Sequence, residues 1–87
     1  MAGTPANTKL TGVVTYTVPA DNIYIYSAHA ITTAADARVL LDGDGQTSMG
    51  TGGSQDIYQL TADEAQVISL TGSGSPEVSV SGLLFPK

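Results

Sequence analysis

The sequence predicts an all-β protein: a small single-domain β-sandwich or jelly-roll-like barrel of about six to eight short strands. Three observations carry this. Several stretches alternate with period two and are rich in β-branched and aromatic residues. Turn signals built on Gly, Pro, Asn and Asp separate them at short, regular spacing. No stretch with helical periodicity reaches a useful helix length.

Taken in order, residues 1–9 are small and polar, contain Pro5, and show no periodicity. They read as an extended N-terminal arm, leaving 10–87 as the β-sandwich domain. From Leu10 to Val18 the residues alternate, with Leu10, Gly12, Val14, Tyr16 and Val18 on one face. This predicts a first strand, closed by the Pro19-Ala20-Asp21-Asn22 turn. Ile23-Tyr24-Ile25-Tyr26 begins a second strand that runs to about Thr33. It is apolar on both faces, as in a strand covered on two sides. A turn at Ala34-Ala35-Asp36 leads to a strand over Ala37–Leu41, and Asp42-Gly43-Asp44-Gly45 is a strong turn signal. Gly43 to Ser54 carries five glycines and reads as loop. Short strands follow at Ile57–Leu60 and Gln66–Leu70, with a turn between them at Thr61–Glu64. Glu77–Phe85 is the last strand, with Gly82 expected at a bulge or bend.

Composition limits function. The chain has 87 residues and no Cys, and 13% are charged. A domain this small buries little more than its chain entropy demands, and disulfides are excluded. A single His and no Cys leave no structural zinc site. Oligomerisation or docking on a larger partner is the expected source of stability. A formal net charge of −5 with only Lys9, Arg38 and Lys87 as cations disfavours nucleic acid and anionic membrane surfaces. No apolar run approaches the ~20 residues that span a bilayer. Met1–Leu10 shows no cationic stretch followed by an apolar one, so no secretory signal is expected.

No motif carries catalysis. A Ser-His-Asp set assembles on paper from His29 and any of many Ser and Asp residues, so the match is uninformative. His29 reads as a structural or surface histidine in a tight setting between alanines. Asp42 and Asp44 imitate the start of a calcium loop, but Gly45 falls before the position of the required turn glycine and no Glu closes it. A tight β-turn is the preferred reading, with weak binding of a hard cation left open. Asp63 and Glu64 are adjacent and read as solvated turn charges. Gly50–Ser54 lacks the Gly-Lys-Ser/Thr ending of a phosphate loop. No cofactor, no metal and no enzymatic activity are expected. Tyr24 and Tyr26 share a strand face. They suit a core role with the hydroxyl at the rim, or a stacking platform for a sugar or a partner.

The run Val14-Thr15-Tyr16-Thr17-Val18-Pro19-Ala20, then Ile23–Ala28 and Ile31-Thr32-Thr33, resembles small β-sandwich structural proteins of tailed bacteriophages. Arg38–Gly43, Ala65–Leu70 and Val78–Gly82 continue the resemblance in order, so that it spans about residues 12–84. It implies a capsid decoration or cement protein on the outer surface of a phage head. The major capsid protein would be its partner, and a homo-oligomer, a trimer, its state. The resemblance places it on the virion after synthesis in the host cytoplasm, where zero Cys is natural. The alternative it implies is a receptor- or carbohydrate-binding module of a tail or head fibre. The expected contact residues are Thr4, Pro5, Asn7 and Lys9 on the arm, Tyr24 and Tyr26, and Met49 in the glycine-rich loop.

Overall fold

Alternating inward and outward residues set the architecture. The computed structural model describes residues 3–34, 36–48 and 56–87. These form eight strands: β1 (Thr4–Leu10), β2 (Tyr16–Thr17), β3 (Asn22–Thr32), β4 (Arg38–Leu41), β5 (Asp44–Ser48), β6 (Asp56–Ala62), β7 (Val67–Thr71) and β8 (Glu77–Pro86). No helix occurs among the described residues. The first sheet has the order β1-β8-β3-β6 and the second β2-β7-β4-β5. Every pairing is antiparallel. The protein is all-β, and its two four-stranded sheets make a small β-sandwich.

The core lies between the sheets. In β3, Tyr24, Tyr26, Ala28 and Ala30 are buried, while Ile23, Ile25, His29 and Ile31 face outward. Leu10, Val78 and Val80 add to this inner face, and Val39, Ile68 and Leu70 meet it from the second sheet. Three tyrosines bridge the layers. The rings of Tyr16 and Tyr24 lie 4.9 Å apart and tilted, and those of Tyr24 and Tyr26 lie 4.9 Å apart and stacked. Such ring pairs add to the stabilisation their burial gives.

Several sequence expectations need correction: strands replace the expected loop at Asp44–Ser48 and reach into the expected turn at Thr61–Ala62, and four further points follow. Of residues 1–9, expected as an arm, Thr4–Lys9 belong to β1, paired residue by residue with β8. The segment's small polar side chains give little periodic signal, yet a strand needs only its backbone to join a ladder. Second, no single strand covers Leu10–Val18. Thr11 Oγ1 accepts the N–H groups of Val13 and Val14 at 3.2 and 3.1 Å, which turns the chain between the sheets. Only Tyr16–Thr17 resumes pairing. Third, β3 is buried on one face only, and Ile25 on the other is 42% exposed. Fourth, Gly82 marks no bulge, since both its ladders run through it unbroken. It marks a close approach: a methyl there would stand 2.6 Å from Tyr26 Cα and collide with the Ile25 carbonyl.

Candidate interaction surface

The register of the first sheet arranges its outer face in rows. Lys9, Ser79 and His29 form one, and Asn7, Ser81 and Ser27 the next. Pro5, Leu83, Ile25 and Thr61 form the third, and Phe85 and Ile23 the fourth. One half of the face is therefore polar and the other apolar. Leu83 is 40% exposed, comparable with Ile25. A shallow depression of about 520 Å³ spans the boundary, lined by Ile25, Ser27, Gln59, Ser81, Leu83 and Phe85. Apolar side chains gathered in neighbouring rows are the mark of a contact surface, whereas scattered ones are ordinary.

Charge stays at the margins of this face. Lys9 Nζ lies 3.3 Å from Glu77 Oε2. At the opposite end, Lys87 Nζ donates at 2.9 Å to both Asp63 Oδ1 and Glu64 Oε1. Glu64 Oε2 also accepts the Asp21 N–H at 2.8 Å. The Asp21 N–H holds the Glu64 carboxyl below its ordinary range, with Lys87 adding to the effect. The Lys87 ammonium does the same for Asp63, helped by the Glu64 N–H. These acids fasten turns, and they do not form a paired-carboxylate site.

The sequence-derived contact residues separate in space. Pro5, Asn7 and Lys9 lie on the outer face of β1, and Thr4 is exposed at its start. Tyr24 and Tyr26 are buried, with 0% and 2% of their surface exposed. They are core residues and form no exposed platform. The Tyr24 hydroxyl donates to the Ala6 carbonyl at 2.6 Å. That of Tyr26 has no hydrogen-bond partner among the described residues. Burial raises the Tyr24 hydroxyl pKa well above its usual value and pushes that of Tyr26 up to about 12. Met49 lies outside the described residues, and of the stretch expected as a glycine-rich loop Asp44–Ser48 is strand β5.

The other motifs take structural positions. His29 is exposed between the buried Ala28 and Ala30, so the tight setting belongs to its neighbours. Asp42 Oδ1 accepts the Val67 N–H at 2.9 Å and Oδ2 accepts Gln66 Nε2 at 3.3 Å. That carboxylate pins the β4–β5 turn to β7. No group of three or more His, Asp or Glu side chains gathers to hold a metal among the described residues.

Sequence reasoning missed Ile23, Ile25, Leu83 and Phe85 as surface residues. Their signal was present as apolar residues on both faces of Ile23–Tyr26 and in the continuous Leu83-Leu84-Phe85. Comparison with protein-family models, curated proteins and solved structures gives no match.

Proposed function

We propose that this chain is a structural protein of a tailed-phage virion, a decoration protein that binds the outer surface of the head and stabilises it. The observation that carries the reading is the uncovered apolar half of the first sheet, Pro5, Ile25, Leu83 and their neighbours. A small domain gains most from burying such a face against a larger body. The resemblance to phage β-sandwich proteins supplies the partner, the major capsid protein, and a homo-oligomeric state. In this reading the chain is made in the host cytoplasm, rides on the virion and catalyses nothing. Burial of Tyr24 and Tyr26 removes the stacking platform on which a sugar- or receptor-binding role would rest, which favours decoration over a fibre module.

The test is co-sedimentation with undecorated heads. The double variant Ile25→Ser, Leu83→Ser alters exposed residues only and leaves the core intact. It is expected to lose head binding by about tenfold or more, since two apolar side chains no longer desolvate. An unchanged binding midpoint sinks the assignment of this face. Densitometry of purified virions gives the second check: hundreds of copies fit a decorator, and a few copies per particle fit a tail module.

A further inference from the structure

The two sheets present four edges among the described residues, and three of them are short or bulged. β2 is only two residues long. β5 carries a bulge, because Val39 and Leu40 pair with Thr47 and Gly45 and leave Gln46 extra. β6 carries another between Ile57 and Leu60, with Gln59 at φ 62°. Short strands and bulges interrupt the row of edge donors and acceptors, whereas Pro and Lys blunt an edge and leave its register intact. β1 is neither short nor bulged, and its blunting residues are Pro5 and Lys9. Its seven residues pair with β8 without a register shift.

Pro5 fixes which backbone groups this edge displays. It has no N–H, so in an edge strand its nitrogen faces away from the neighbouring strand. Alternation then turns the backbone of Ala6 and Thr8 toward β8 and that of Asn7 and Lys9 outward. Ser81 agrees: its carbonyl accepts Ser27 Oγ at 3.4 Å on the β3 side, so Asn7, opposite Ser81, is not bonded to β8.

We propose that β1 pairs with β1 of a second copy of this chain, antiparallel about a two-fold axis at Asn7, joining the two first sheets into one. The proposal goes beyond the decoration reading and does not depend on it. Several features select a second copy as the occupant. An antiparallel strand is its own complement across a two-fold axis, and the pairing closes without leaving a new β1 edge. Lys9 is the only charged residue of β1. In this register it lies opposite Pro5 of the second copy, so no like charges meet. The Asn7 backbones exchange two hydrogen bonds, and each Lys9 N–H donates to the Pro5 carbonyl of the other copy. Pro5 returns no donor, which keeps the association reversible. A threefold set would require β1 to meet a different edge of its neighbour, and those edges are bulged or short.

The test uses purified full-length chain without heads, so its failure is distinct from failure of the decoration reading. Sedimentation from micromolar to millimolar concentration is expected to show a monomer–dimer equilibrium. Asn7→Pro removes an outward N–H and leaves the bonds to β8 in place. It is expected to weaken dimerisation about tenfold to a hundredfold, through loss of two of the four bonds. Asn7→Ala, which keeps the backbone donor, is expected to dimerise like the parent. Amide exchange on the unaltered chain needs no folded variant. The Asn7 and Lys9 amides are expected to slow about tenfold or more from micromolar to millimolar concentration, while Thr8 stays constant. A monomer throughout, a trimer indifferent to Asn7→Pro, or Asn7 and Lys9 exchange independent of concentration each overturns the proposal.

Discussion

The two sheets of this sandwich are held by different means. Strands of the first are 7, 7, 10 and 11 residues long, and those of the second 2, 4, 5 and 5. Long ladders make the first sheet self-supporting, and it keeps apolar residues to spare on its outer face. The second sheet has too few ladder bonds to hold its own ends. Side chains do that instead: Asp42 bonds Val67 and Gln66, and Asp36 accepts the Ser73 N–H at 3.1 Å. The lesson is that the first sheet is the platform, able to spend a face on a partner, and the second is the lid that closes the core.

The largest effect expected from a single change tests the platform. Gly82 faces Ala6 on one side and Tyr26 on the other. In Gly82→Val the new side chain meets backbone, which cannot yield as a flexible side chain does. The expected loss is at least ~3 kcal/mol, at the upper end of overpacking costs and a large part of a small domain's stability. Urea denaturation measures it. A loss below ~1 kcal/mol would mean that the sheet opens at Gly82 and is not the rigid member.

A second test strikes both sheets at the tyrosines between them. Burial raises the pKa values of Tyr24 and Tyr26 in the folded state, the latter to about 12. The unfolded chain ionises near the ordinary value of 10.0. Stability from these groups is therefore full below pH 10 and lost as pH rises toward 12. Tyrosinate absorbance and strand-type circular dichroism are expected to change together in that window. Tyrosinate appearing well before the fold is lost would show that the core rings are reachable by water.

Asp42→Ala separates the sheets. It removes both side-chain bonds to the start of β7 and places a β-carbon-only residue at φ 52°. The expected cost is about 1–2 kcal/mol. Amide exchange is expected to rise in Val67–Thr71 and Arg38–Leu41 while β3 and β8 stay protected. Equal loosening of all strands would show that the two sheets melt as one unit.

How much of this was legible in the sequence follows the same division. The fold class and the long strands β3 and β8 could be read, because runs rich in β-branched and aromatic residues between turn signals are a strong signal. The turn at Asp42-Gly43 was also readable, and both residues take positive φ as such hairpins require. β1 was not read as a strand of this sheet. Before Leu10 its side chains are Thr, Pro, Ala, Asn and Lys, and its place depends on backbone pairing with the far end of the chain, from Thr4 with Leu84 to Leu10 with Val78. The division of Leu10–Val18 was hidden for a related reason. The Thr11 hydroxyl competes with the ladder for backbone N–H groups, a local choice that alternation does not report. The surface itself was half legible. Pro5, Asn7 and Lys9 were named on other grounds and lie at its edge, while the tyrosines drew attention from the isoleucines beside them. Polarity marks an aromatic as two-faced, but only pairing register says which face of β3 is inside.

The smallest effect probes the clasp between the β2–β3 turn, the β6–β7 turn and Lys87. Asp63 and Glu64 share Lys87, and Glu64 also holds the Asp21 N–H. The Lys87 N–H in turn donates to the Asp21 carbonyl at 2.9 Å. Both carboxyls titrate below their ordinary values of 3.8 and 4.5 in the folded protein. The unfolded chain therefore binds protons first on acidification. The clasp's contribution is complete above those values and disappears as pH falls through the lowered ones. The groups are solvent-exposed, so screening keeps the effect small, and salt weakens it further. The melting temperature is expected to fall slightly as pH drops from 5 toward 3. Glu64→Gln should flatten part of that slope, because Gln keeps a carbonyl for the Asp21 N–H and does not titrate. Asp36, whose pKa is held down chiefly by the Ser73 N–H, adds a second contribution in the same direction. Comparing Glu64→Gln with Asp36→Asn assigns the slope to the clasp or to the lid. If neither substitution changes it, the acid sensitivity arises elsewhere and the turn carboxylates are bystanders to the sandwich.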